Sequence, residues 1–156
     1  MSRTASDPRP SGATLRAARP TDLPAVIVLL SGASLPTAGV PVTLQGFVIA
    51  EAGGEVVGVA GLERYGPAGL LRSVAVRPEA RNTGVGGALI DRILAEAVAG
   101  GMRDIFLLTT TAESYFARRQ FSRIAREAVP EPVQASIEFQ GARPSSAIVM
   151  HRRAPD

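Results

Sequence analysis

The stretch Val74-Ala-Val-Arg-Pro-Glu-Ala-Arg-Asn-Thr-Gly-Val-Gly-Gly-Ala-Leu-Ile90 decides the fold. It opens apolar and β-prone, and Pro78 ends the strand. Gly84, Gly86 and Gly87 then open a segment, Gly84 to Ala99, in which Ala88, Leu89, Ile93, Leu94 and Val98 recur at helical spacing. A helix start carries unpaired N–H groups and the positive end of the helix dipole, and glycines let an anion approach the backbone. The expected ligand is therefore a phosphate or diphosphate. A phosphate loop needs Gly-Lys-Ser/Thr, and the chain has no lysine. A dinucleotide loop needs glycine where Leu89 stands and a tight turn directly after the strand, yet Arg77 to Thr83 separate Val76 from Gly84. The pattern that remains is Arg81-x-x-Gly84-x-Gly86.

Outward from this stretch, Leu15 to Ala18 reads as a first strand. Thr21 reads as the cap of a helix near 22–33, with Asp22 in its first turn and Leu23, Val26, Ile27 and Leu30 on its apolar face. Ser34 to Gly46 reads as an irregular connection. Phe47–Glu51 and Val56–Leu62 form a hairpin across Gly53-Gly54, and Leu70 to Val76 follows as a third antiparallel strand. Gly100-Gly101 closes the long helix, and Ile105–Leu108 is a wholly apolar strand of the buried, parallel kind. A short helix through Ala112 to Arg119, a strand over Phe121–Arg126, an irregular 130–145 and a last strand over Ser146–His151 complete the order. The class is α/β with a mixed central β-sheet flanked by helices, centred on a right-handed strand–helix–strand unit over 70–108.

Length and composition narrow the chemistry. A chain of 156 residues with 46% hydrophobic and 20% charged residues sustains one globular core. The absence of cysteine removes disulfides, thiolate metal sites and cysteine nucleophiles. A single histidine, His151, leaves no imidazole cluster, so no metal is expected. All 17 basic residues are arginine, scattered among 14 acids, and the net charge of +3 describes a mixed solvated surface rather than a nucleic-acid face. Residues 1–14, rich in Ser, Pro, Arg and Gly, read as a disordered tail ahead of a single domain over 15–156. No secretory h-region and no bilayer-length apolar run is present, so a cytoplasmic protein without a membrane partner is expected.

Arg81-x-x-Gly84-x-Gly86, preceded by strand and proline, resembles the acetyl-coenzyme A motif of the GNAT N-acetyltransferases, and the order of elements resembles that fold over 15–151. The resemblance implies acetyl-CoA as cosubstrate. It implies a diphosphate cradle of Arg81, Asn82, Thr83, Gly84, Val85, Gly86 and Gly87, and pantetheine contacts from the main chain of Val74 and Val76. An amine would attack the thioester, with a backbone N–H stabilising the oxyanion. Without cysteine, direct transfer in a ternary complex is the available route. Glu63, at the end of the second hairpin strand, is the candidate base, and a surface charge is its plainer alternative. Glu113 favours a helix dipole.

The family pattern departs at Tyr115-Phe-Ala-Arg-Arg-Gln-Phe121. Phe116 stands where many members place the tyrosine acid, and Gln120 where they place glycine. Tyr115 lies about 100° round the helix and is no simple substitute. Leu107-Leu-Thr-Thr-Thr-Ala-Glu-Ser-Tyr-Phe-Ala-Arg-Arg-Gln-Phe121 and Arg143-Pro-Ser-Ser-Ala-Ile-Val-Met150 are similar to the acetyltransferase domain of N-acetylglutamate synthase. The organisation, including Gly-Val-Ala-Gly-Leu-Glu63 and Leu-Leu-Arg-Ser73, also resembles GNAT proteins encoded with arsenic-resistance operons. This implies a small amino-acid-like acceptor bearing a carboxylate, with Arg72 and Arg143 as clamps and hydroxyls from Thr109 and Thr111 near the acetyl group. Exposed arginines and strand-end threonines are the plainer alternatives. A homodimer is common in the family. A non-catalytic acyl-CoA sensor is the competing function.

Overall fold

Two apolar runs joined by Gly53-Gly54 form the hairpin of β2 (Phe47–Ala52) and β3 (Glu55–Tyr65). Both glycines take positive φ, 60° and 80°, the requirement of a two-residue turn whose twist matches the strands. The computed structural model describes residues 13–155 of this chain. β1 (Thr14–Ala17) pairs antiparallel with β2, so it starts one residue earlier than the sequence suggests. The rest of the expected N-terminal tail, residues 1–12, lies outside the described residues.

The remaining strands are β4 (Ala68–Val76), β5 (Asp104–Thr109), β6 (Ser122–Arg123) and β7 (Ile148–Arg153). They order as β1-β2-β3-β4-β5-β7-β6 in one seven-stranded sheet. Pairing is antiparallel for β1–β2, β2–β3, β5–β7 and β7–β6, and parallel for β4–β5 from Ala68↔Asp104 to Leu70↔Phe106. The sheet is mixed, as expected. The helices are α1 (Leu23–Gly32), α2 (Val85–Ala99), α3 (Glu113–Ala117) and α4 (Glu131–Gln134).

Several boundaries differ from the sequence reading, most clearly in three places. Thr21 does not cap α1: a short 3₁₀ turn, Pro20–Asp22, precedes it and Asp22 takes the cap position. The strand expected over 121–126 shrinks to Ser122–Arg123. Within the irregular 130–145, α4 forms after Pro130, and a wide turn spans Glu138–Ala142 with Gly141 at φ 113°.

The chain divides into two compact units. The first holds the residues up to Leu35, Pro41–Gly61 and Ser73–Ile93; the second holds Pro36–Val40, Leu62–Arg72 and the chain from Leu94. In the first, a Cβ on Gly58 of β3 would meet Leu89 at 2.9 Å and Val85 at 3.2 Å, so the missing side chain is what seats the start of α2 on the strand. In the second, Ala68, Leu70, Phe106, Leu108, Val129, Val133, Ala147 and Val149 form a buried apolar cluster, with Tyr65, Ile124 and Phe139 packed against it.

Candidate functional site

The glycine-rich segment lies in the first unit. β4 ends at Val76, and Arg77 turns the chain through the 3₁₀ turn Pro78–Ala80. The Arg77 N–H donates to the Val57 carbonyl at 2.8 Å, and its guanidinium pairs with Glu55 at 2.7 Å and Glu79 at 2.9 Å. These bonds fix where the loop leaves the strand. Asn82 at φ 63° and Gly84 at φ 89° then reverse the backbone into α2. The Ala88 N–H donates to the Gly84 carbonyl at 3.0 Å, which places the amides of Val85, Gly86 and Gly87 ahead of the helical ladder.

The Thr83 hydroxyl donates to the Ala80 carbonyl, and Arg81 Nε donates to the Val76 carbonyl at 3.3 Å. Arg81, Asn82 and Gly84 are exposed, whereas Val85 and Gly87 are buried. The loop thus joins an exposed arginine to the start of a helix whose first amides precede the helical ladder, the kinds of donor an anionic diphosphate requires. Val74 and Val76 are half-buried on β4 beyond Ser73, a buried residue at φ 61°. A left-handed non-glycine residue inside a strand costs of order 1 kcal/mol or more and interrupts its alternation there.

The second unit holds a network of charged side chains. Glu63 Oε1 accepts from the Tyr65 hydroxyl at 2.5 Å and from the Ser136 hydroxyl at 2.6 Å, and its Oε2 accepts from Arg72 Nη1 at 2.7 Å. Burial pushes the Glu63 carboxyl up, but the bonds from Ser136, Tyr65 and Arg72 outweigh it and hold the group below its usual range. Burial and the bond to Glu63 push the Tyr65 phenol up, so it stays protonated.

Arg72 has no side-chain exposure: Nη2 donates to the Ala38 carbonyl at 2.9 Å and lies 3.5 Å from Glu138 Oε2. Both terminal nitrogens of its guanidinium are therefore engaged by protein acceptors. Glu138, 2% exposed, also meets Arg143, whose Nε donates to Oε1 at 3.3 Å. Arg72 and Arg143 come together through one carboxylate.

The other candidates stand apart from this network. Thr109 Oγ1 accepts from the Ala112 N–H at 3.0 Å, a structural task at the entrance to α3, and Thr111 is exposed. Phe116 is buried, edge-on to Tyr115 and Phe121 with ring centroids 5.3 and 5.8 Å away, so the family's tyrosine position is here an apolar core position. Tyr115 instead carries Arg119 over its ring at 5.5 Å. Glu113 lies in the first turn of α3 and pairs with Arg123 at 2.8 Å. Among the described residues no group of acids and histidine is arranged to hold a metal ion, and no helix is long and apolar enough to cross a membrane.

Sequence reasoning missed Tyr65, Ser136, Glu138 and the Ala38 carbonyl. An acid between Ile137 and Phe139 was the available signal for Glu138, since a carboxylate in an apolar setting needs cations. Its partners lie too far along the chain for periodicity to find them.

The model of the acetyltransferase (GNAT) domain matches residues 44–123. The amino-acid acetyltransferase of Pseudomonas fluorescens is 34% identical over 99 residues, 62% of this chain and 23% of that protein. Other curated relatives are matched over as little as 16% of their length, so the chain spans under a quarter of those proteins. Among solved structures, N-acetylglutamate synthase from Neisseria gonorrhoeae, complexed with coenzyme A and N-acetyl-glutamate, superposes with TM-score 0.81 at 23% identity, over 95% of this chain and 36% of that one. Rv2747 from Mycobacterium tuberculosis, in complex with CoA and NLQ, superposes with TM-score 0.77 at 26% identity, over 90% of this chain and 98% of that one. The motif at Arg81 to Gly86, the mixed sheet and the domain match agree: the chain belongs to the GNAT acetyltransferase family.

Proposed function

We propose that this chain transfers the acetyl group of acetyl-CoA to the amine of a small amino-acid-like acceptor. The observation that carries the reading is the loop from Arg77 to Gly87, whose backbone reverses at Asn82 and Gly84 into the start of α2, where the Val85, Gly86 and Gly87 amides stand ahead of the helical ladder. Arg81, Asn82, Thr83, Gly84, Val85, Gly86 and Gly87 would hold the diphosphate, and the main chain of Val74 and Val76 the pantetheine. Acetyl-CoA supplies an activated thioester. Arg72, bonded to Glu63 through Nη1, organises that carboxylate, and Arg143 is the clamp for the acceptor's carboxylate. That the Pseudomonas fluorescens relative is an amino-acid acetyltransferase, and that one structural neighbour holds coenzyme A with N-acetyl-glutamate, supports this choice of acceptor class.

Transfer is direct: the amine nitrogen bonds the carbonyl carbon, the carbon–sulfur bond breaks, and the proton that the nitrogen loses is returned through water to the leaving thiolate. In this reading Glu63, held ionised, would serve as the base. With three donors on it and a depressed pKa it is a weak base, so it acts by accepting a proton through water from an amine already inclined to lose it. Thr109, its hydroxyl bonded at the α3 entrance, and exposed Thr111 line the acetyl side in the same reading.

Coenzyme A release across a panel of amino acids tests the proposal. Release above hydrolysis with at least one acceptor is expected, and none with any amine would overturn it. An arsenic-bearing amino-acid analogue in the panel examines the arsenic association that the resemblance implies. Sedimentation tests for the homodimer. The buried Phe116 favours one other reading, an acyl-CoA sensor, and tight acetyl-CoA binding without turnover on any amine is its signature.

A further inference from the structure

Glu138 has no part in acetyl transfer as set out above, yet it is a nearly fully buried carboxylate between two guanidiniums. Its main chain is held too, since the Glu138 N–H donates to Ser136 Oγ at 3.2 Å and that hydroxyl donates in turn to Glu63. The wide turn that follows, with Gly141 at φ 113°, returns the chain so that Arg143 faces the same carboxylate.

The two arginines meet Glu138 differently. Arg72 spends Nη1 on Glu63 and Nη2 on the Ala38 carbonyl and Glu138, with no exposure. Arg143 is about nine-tenths buried, and among the described residues its hydrogen bond runs through Nε alone. A guanidinium carries five N–H donors in a rigid fork, so a bond at Nε fixes the plane and leaves the Nη1/Nη2 edge for a second acceptor. A buried cation with that edge unmet favours an anion with two oxygens in one plane.

We propose that Glu138 is the positioning residue that separates the two arginines into one that builds the site and one that reads the substrate. It holds Arg143 by Nε so that the Nη edge receives the acceptor's carboxylate. The inference rests on the acetyltransferase reading above and adds to it the determinant of acceptor specificity. Glu138 touches Arg143 rather than the acceptor, so its effect is on discrimination.

The test compares the best acceptor amino acid with the amine lacking its α-carboxyl group, in the wild-type chain and in Glu138→Gln. The wild type is expected to prefer the amino acid in kcat/KM. Glu138→Gln is expected to lose about tenfold or more of that preference while the KM for acetyl-CoA stays within about twofold. If Glu138→Gln does not fold, Glu138→Asp keeps the charge but withdraws it by one methylene, and the same ratio is read. An equal loss on both acceptors, or an unchanged ratio in a folded variant, overturns the proposal and leaves the acetyltransferase reading intact. A wild type with turnover but no preference for the carboxylate does the same. A wild type without turnover on any amine overturns both.

Discussion

Asp22 accepts from Arg16 Nη1 at 2.8 Å and Nη2 at 2.9 Å, and from the Arg19 N–H at 2.7 Å. The Arg16 bonds hold its carboxyl down at about 2 against the opposing push of burial. A depressed carboxyl stabilises the fold in full above its unfolded value near 3.8, and that contribution disappears as pH falls through about 2. Asp22→Asn is therefore expected to cost about 1–2 kcal/mol at pH 7 and to flatten the loss of stability between pH 4 and 2. Urea midpoints at several pH values check it, and an acid limb as steep as the wild type's would refute the assignment. The same sign applies to Glu63, which stays ionised through neutral pH. The pH profile of kcat/KM is expected to rise with the acceptor's own amine and to show no inflection from Glu63 between pH 5 and 7; an inflection there that vanishes in Glu63→Gln would make Glu63 a direct base. Glu63, Arg72 and Arg143 were legible in the sequence as polar residues in informative segments. Their tasks were not, because burial and the shared contact through Glu138 depend on side chains far apart along the chain.

Among elements, the loop and the start of α2 were the most legible, because anion binding at a helix start needs only local sequence: glycines, a preceding strand and no competing motif. The hairpin was equally open, since Gly53-Gly54 supplies the positive φ that a two-residue turn between apolar runs needs. The segment 130–145 was opaque for the opposite reason. Its prolines break periodicity, and α4 is a single turn whose Val133 owes its place to the tertiary cluster in which it is buried. Gly84 and Gly86 differ in what they test. Any side chain at Gly84 meets φ 89°, so a loss of function there mixes strain with blockage. Gly86 lies inside the first turn of α2, where a side chain is tolerated by the backbone. Gly86→Leu is expected to raise the KM for acetyl-CoA about tenfold or more, with kcat at saturation and the circular dichroism spectrum little changed. An unchanged KM would mean that these amides serve some other purpose.

At the scale of the molecule, the chain passes between the two compact units at residues 35/36, 40/41, 61/62, 72/73 and 93/94, and β3, β4 and α2 are each divided by a crossing. A strand or helix cannot keep its hydrogen bonds in one half while the other half melts without fraying at the join. We infer that residues 15–156 fold as a single domain. Thermal unfolding is expected to give one transition, with calorimetric and van't Hoff enthalpies equal. Two resolved transitions would instead make the units independent. Ligand linkage joins this to the proposed activity: acetyl-CoA at about 100 times its Kd stabilises a folded state that alone binds it by about 2.7 kcal/mol. For a chain of this size that is a rise in Tm of roughly 5–10 °C. The same concentration should move Gly86→Leu much less, because the loss falls on the cradle rather than on the core. A wild-type Tm indifferent to acetyl-CoA, measured where the unfolding is reversible, would remove the cofactor site from the loop and with it the acetyl transfer built upon it.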